Sequence, residues 1–144
     1  MADASQPGHS PRAGVGGWLL LLCRVLIVLH PLSLAVTGSG ALGALSVRGT
    51  AVALILLLRL VVVGFGMAAG RALQTLQPGA VTLASAALAA SAATDVFVYA
   101  TPYFPNNRAP GDTPLYVAAS LAYHGAWLAY LARSKRVRAT FAQT

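Results

Sequence analysis

Four stretches of the sequence, 17–36, 50–70, 79–100 and 115–132, each contain at most one Asp, Glu, Lys or Arg. As a helix, about 20 apolar residues cross a hydrocarbon layer of ~30 Å. Membrane β-strands are excluded: they alternate apolar and polar positions over segments of about 10 residues, and these runs are continuous. A backbone in lipid must satisfy its own N–H and C=O groups, which leaves helices. Composition agrees, since only 9% of the 144 residues are charged while 57% are hydrophobic. A soluble domain carries about 25% charged residues, so this chain lacks the side chains to clothe itself in water. Disorder, which needs low hydrophobicity, is excluded by the same numbers. The expectation is an all-α, integral membrane four-helix bundle.

The remaining segments read as connectors. Residues 1–14, with Pro7, Pro11, His9 and Arg12, form a polar lead. A secretion signal is the competing reading of the first run, which is longer than the usual apolar core of such a signal and is interrupted by Arg24. Residues 37–49 read as a glycine-rich loop. Its spacing from Gly38 to Gly43 loosely mimics a dinucleotide fingerprint, but without the strand–turn–helix setting that chemistry needs. Residues 71–78 form a short turn, and 101–114 hold four prolines, too many for a helix. The chain closes on a basic tail, 133–144.

Ten Lys and Arg against three Asp and Glu give a net charge of +7. In a soluble protein that would suggest nucleic acid, but here the basic residues flank apolar runs. Arg12, Arg71, Arg133, Lys135, Arg136 and Arg138 fall on one side of a four-span topology, against Arg48 and Arg108 on the other. The positive-inside rule then predicts both termini in the cytoplasm. Aromatic residues segregate in the same sense, with Trp18, Trp127 and Tyr130 at the inner interface and Tyr99, Tyr103, Phe104 and Tyr116 at the outer. The clustered Arg133, Lys135, Arg136 and Arg138 suit anionic lipid headgroups, each worth ~1 kcal/mol near the surface.

Two patches carry a family likeness. GVGGWLLLL at 14–22 opens the first span, which bends at Pro31, and WLAYLARSKRVRATF at 127–141 closes the last. The Gly-Gly-Trp entrance and the closing Ser134, Lys135, Arg136, Val137, Thr140 and Phe141 resemble the bacterial domain-of-unknown-function 2569 family. Its members are small four-helix inner-membrane proteins without an assigned activity. The likeness covers about a fifth of the chain. It implies the topology and a bacterial inner membrane, and supplies no chemistry for Arg24, His30, Arg59 or Asp95.

Five titratable groups fall within the spans: Arg24, His30, Arg59, Asp95 and His124. Charge at the bilayer centre costs roughly 2.5–3.5 kcal/mol on insertion scales, so such residues pair or line a cavity. At a rise of ~1.5 Å per residue, Arg59 and His124 lie near the midplane, His30 ~4–5 Å outward and Asp95 ~7–8 Å outward. Arg24 lies far enough inward to snorkel. Asp95 is the only acid in any span, so Arg59 is its predicted partner. Ala87, Ser91 and Asp95 share a stripe, and Gly66 and Gly70 form a GxxxG nearly aligned with Arg59. Both features predict that spans two and three pack closely. The candidate polar cluster is thus Arg59, Asp95, His30 and His124.

No catalytic, cofactor or metal constellation accompanies it. No GxSxG or P-loop occurs, and the histidines and aspartate are not at helical ligand spacing. Cys23 lies in an apolar run as core filling. Two functions remain: a structural or interaction protein of the envelope, in which Arg59 and Asp95 lock two helices, or a subunit of a small oligomeric transporter or channel built on the same residues. Partners expected are the bilayer, its anionic headgroups, and a membrane protein or a second copy of the chain, not nucleic acid.

Overall fold

A computed structural model describes residues 15–43, 45–104 and 111–142, apart from the side chains at 46–48. The polar lead with His9 and Arg12, the Arg48 side chain and Arg108 lie outside the described residues. All regular structure within them is helical. Helix α1 (Trp18–Arg24), a π turn (Val25–Leu29) and α2 (His30–Leu42) form one rod. Helices α3 (Leu45–Gln74), α4 (Ala80–Ala100) and α5 (Thr113–Arg133) follow, then a short α6 (Lys135–Phe141). Three segments are long and apolar enough to cross a membrane: Trp18–Leu42, Gly49–Gln74 and Ala80–Ala100. Helix α5 matches the last of these in length at 21 residues, but Tyr116, Ser120, Tyr123, His124 and Tyr130 dilute its apolar character.

Local chemistry explains the breaks. Pro31 has no N–H, so it cannot bond the carbonyl one turn back. The helix widens just before it, and the His30 N–H bonds to Val25 O, five residues back. Such π turns are a recognised way to absorb an interruption of the ladder. The expected loop over 37–49 is largely absent, because the rod continues to Leu42. Thr37 and Ser39 return their hydroxyls to Ser33 O at 2.9 Å and Val36 O at 2.8 Å, so these polar residues stay helical. The bend is carried instead by Gly43 and by Gly49, whose φ of 50° breaks α3 near its start. Pro114 sits in the first turn of α5, where a missing N–H costs nothing.

The long rods pack in the order α1–α2, α3, α4, α5, each against the next. The first and last are not among the extensively packed neighbours. They meet through side chains: Trp18 against Trp127 (ring centroids 6.3 Å apart) near the chain ends, and His30 against His124 (6.2 Å) farther along. One core, with Leu19, Leu22, Leu26, Leu73 and Leu88, seals the half of the bundle nearest the chain ends. A smaller core, with Val52, Ile55, Val98 and Phe104, closes part of the opposite end.

The GxxxG corrects one expectation. Gly66 and Gly70 face the first rod rather than α4. A Cβ on Gly70 would lie 2.8 Å from Ile27 Cγ1, 3.1 Å from Leu26 Cβ and 3.3 Å from Cys23 O. The close approach to α4 comes from the other side, where α4 buries Ala80, Ala84, Ala87, Ser91 and Thr94.

The basic tail is folded as well. Ser134 Oγ accepts from the Val137 N–H at 3.3 Å, capping α6. Val137 is 1% exposed and joins the main core, with Phe141 packed alongside. Burying a valine side chain contributes about 2 kcal/mol. Val137→Asp is therefore expected to release α6, raising the open population about thirtyfold. Limited trypsin cleavage at Lys135, Arg136 and Arg138 reads this directly, and an unchanged cleavage rate would show that α6 is not held by that contact.

A polar chamber between the first and last helices

Between the two cores lies a chamber of about 380 Å³. It occupies the half of the bundle remote from the chain ends, along the seam where the first and last rods stay apart. His30, Arg59, Asp95 and His124 all line it, so the four ionisable residues singled out from the sequence converge on one space. Leu29, Leu34, Val62 and Val63 form its apolar wall.

The ion pair forms its centre. Arg59 Nη2 donates to Asp95 Oδ1 at 3.1 Å, with the two side chains 14% and 25% exposed. Arg59 Nη1 also lies 3.4 Å from Thr37 Oγ1. The guanidinium stacks over Phe104, 5.4 Å from the ring centroid, a cation–π contact strengthened by removal from water. Phe104 turns inward to 6% exposure to make this contact.

Asp95 has a second partner. Ser120 Oγ lies 2.9 Å from Asp95 Oδ2 and 3.3 Å from His124 Nδ1, and that nitrogen is also 2.9 Å from Ser120 O. A carbonyl oxygen can only accept, so His124 Nδ1 must carry a hydrogen. The carboxylate likewise only accepts, so the Ser120 hydroxyl hydrogen points at Asp95 and its oxygen takes a share of the single Nδ1 hydrogen, which lies closer to Ser120 O. The hydrogen bonds therefore run one way, from His124 through Ser120 to Asp95. The ring's other nitrogen, Nε2, takes no part in these bonds. The His124 ring is 4% exposed as a residue and meets Tyr123 edge-on at 5.0 Å.

His30 stands across the seam. Its ring contacts His124, and it makes no side-chain hydrogen bond among the described residues. Gly66 leaves it room, since a Cβ there would come within 3.8 Å of His30 Nδ1. Among the described residues no group of three His, Cys, Asp or Glu side chains could hold a metal ion.

Three participants escaped the sequence reading: Thr37, Phe104 and Ser120. Ser120 left a signal, because it precedes His124 by four residues and must share its helix face. Thr37 left none once its segment was read as a loop. Arg24 and Arg71 stand exposed, away from the chamber. Arg133, Lys135, Arg136 and Arg138 are exposed around α6 at the other end of the bundle. Arg138 Nη2 bonds to Arg133 O at 3.3 Å, and Arg136 lies over Gly17, 3.3 Å from where a Cβ would be.

No family model, no curated protein and no solved structure matches this chain.

Proposed function

We propose that this is a four-span protein of a bacterial inner membrane, with both termini cytoplasmic, that binds a small polar solute in its outer chamber as a subunit of a transporter or channel. The topology rests on the count of basic residues and on the aromatic pairs, Trp18 with Trp127 at one end and Tyr99 with Tyr116 at the other. The end patches that resemble the domain-of-unknown-function 2569 family support the same arrangement. Helix α5 counts as a span because its length suffices and its polar side chains, Tyr116, Ser120, Tyr123 and His124, line the chamber. On the cytoplasmic side α6 lies along the interface, where its arginines and lysine meet anionic headgroups.

The observation that carries the solute-binding reading is the space beside the ion pair. A structural lock needs only the contact between its two side chains. Here Arg59 and Asp95 instead border a chamber of about 380 Å³, within the range of small-ligand pockets, ~300–1,000 Å³. The chamber is a dead end toward the cytoplasm, where the leucine-rich core is sealed. Passage through the protein then needs a second conformation or a second copy.

Thiol labelling tests the chamber. Ser91 lines it, whereas Leu57 is 56% exposed on the apolar exterior. Native Cys23 is fully buried and supplies an unlabelled baseline. A membrane-impermeant maleimide added to intact cells is expected to label Ser91→Cys at least tenfold faster than Leu57→Cys. Equal protection of both, with labelling restored only by denaturation, would rule out a water-filled outer chamber.

A further inference from the structure

We infer that the chamber binds a small carboxylate together with one proton, the carboxylate taking the place of Asp95 on Arg59. This rests on the solute-binding reading and adds the ligand class and the coupling ion.

The argument begins with net charge. In the chamber Arg59, a cation, and Asp95, its anionic partner, are in contact at 3.1 Å. A guanidinium does not lose its proton in a protein. An anion entering beside this pair would leave a net negative charge in a low-dielectric setting, which is strongly unfavourable. If Asp95 first takes up a proton, Arg59 is released as a planar donor fork. That fork suits a carboxylate, and the site already holds one. Empty and loaded states then carry the same total charge, so proton and anion enter together or not at all. The apolar wall of Leu29, Leu34, Val62 and Val63 suits a short hydrocarbon chain on the anion.

The hydrogen-bond chain supplies the route. A proton binds His124 Nε2. The hydrogen on Nδ1 moves to Ser120 Oγ as the hydroxyl hydrogen of Ser120 passes to Asp95 Oδ2. His124 ends neutral with its hydrogen on Nε2, its ring turns off Ser120 O so that the bare Nδ1 accepts from the reversed Ser120 hydroxyl, and Asp95 is a neutral acid. One proton has been taken up, and no redox partner is needed. The titratable or charged groups lining the chamber with Asp95 are His30 from α2, Arg59 from α3, Tyr99 from α4, and Tyr116, Tyr123 and His124 from α5.

Trifluoroacetate is the probe, because it presents a carboxylate that stays ionised throughout the pH range used and is visible by fluorine NMR. With the full chain in nanodiscs, its binding is expected to tighten about tenfold for each unit of pH lowered from 8 to 6, the slope for one linked proton. Adding it in weak buffer is expected to take up one proton per anion bound. Asp95→Asn is expected to bind the probe equally at every pH without proton uptake, and Arg59→Gln not to bind it. Ser120→Ala is expected to slow proton uptake while leaving its final extent unchanged. Binding that ignores pH in the unaltered protein, or that survives Arg59→Gln, would overturn the exchange, and an unslowed Ser120→Ala would overturn the route. Absence of probe binding where Ser91→Cys is still labelled sinks the carboxylate inference and leaves the chamber standing. Absence of labelling sinks both.

Discussion

Asp95→Leu is expected to cost about 2–4 kcal/mol of stability, and Arg59→Leu less. Removing the acid strands a guanidinium near mid-span that cannot shed its charge, with Thr37 and Phe104 as its remaining neighbours. Removing the arginine leaves a carboxylate that can take a proton and keep its bond to Ser120. The cost falls below that of a fully buried pair because the two side chains are 14% and 25% exposed toward the chamber. Asp95→Asn keeps an acceptor oxygen for Arg59 and can donate its amide to Ser120 Oγ, and should lose only about 1 kcal/mol. Exchanging the charges, Arg59→Asp with Asp95→Arg, is expected to recover much of what either leucine variant loses. Thermal unfolding in nanodiscs measures the series. If Asp95→Leu melts at the temperature of the unaltered protein, the ion pair does not hold these helices.

Gly70→Leu is expected to be as damaging, at about 3 kcal/mol, through sterics alone. The atoms nearest a Cβ at Gly70 are Ile27 Cγ1, Leu26 Cβ and a backbone carbonyl at 2.8–3.3 Å, none of them the free end of a side chain. The first rod must therefore move away, which loses dispersion contact along the seam. Gly70→Ala should cost an intermediate ~1–2 kcal/mol. At Gly66 the nearest atoms are at 3.7 and 3.8 Å, ordinary contact distance, so Gly66→Ala should be nearly neutral. The contrast within one GxxxG is the diagnostic feature. Should both alanine variants unfold alike, the first rod does not pack on α3 as described.

The Arg59–Asp95 contact was legible before any coordinates, because one acid among the apolar runs leaves an arginine at similar depth little choice. The histidines were legible only as candidates. Depth along a helix axis can be counted, but rotation about it depends on which neighbours a helix has. The same limit explains the GxxxG: two glycines announce that a helix approaches, and nothing in their spacing says which one. Thr37 was hidden because glycine and serine near a helix end read as a loop in water. In this chain the Thr37 and Ser39 hydroxyls fold back onto the preceding turn, and the helix continues to Leu42. The tail's helix is decided by packing as well: its four basic residues stay exposed, while Val137 and Phe141 between and beyond them carry α6 onto the core.

Helical spans follow from composition and continuity, since a chain with 9% charged residues has no other way to satisfy its backbone in the solvent that suits it. Which side chains share a space does not follow. The chamber lies where the first and last rods diverge beyond the main core, with His30 and His124 facing each other across it, a consequence of how the helices stack around small residues on α3 and α4. Ser120 joins His124 to Asp95 only once that stacking brings α5 against α4. A one-dimensional pattern carries periodicity and charge, whereas a hydrogen-bond relay needs distances between helices that only packing supplies.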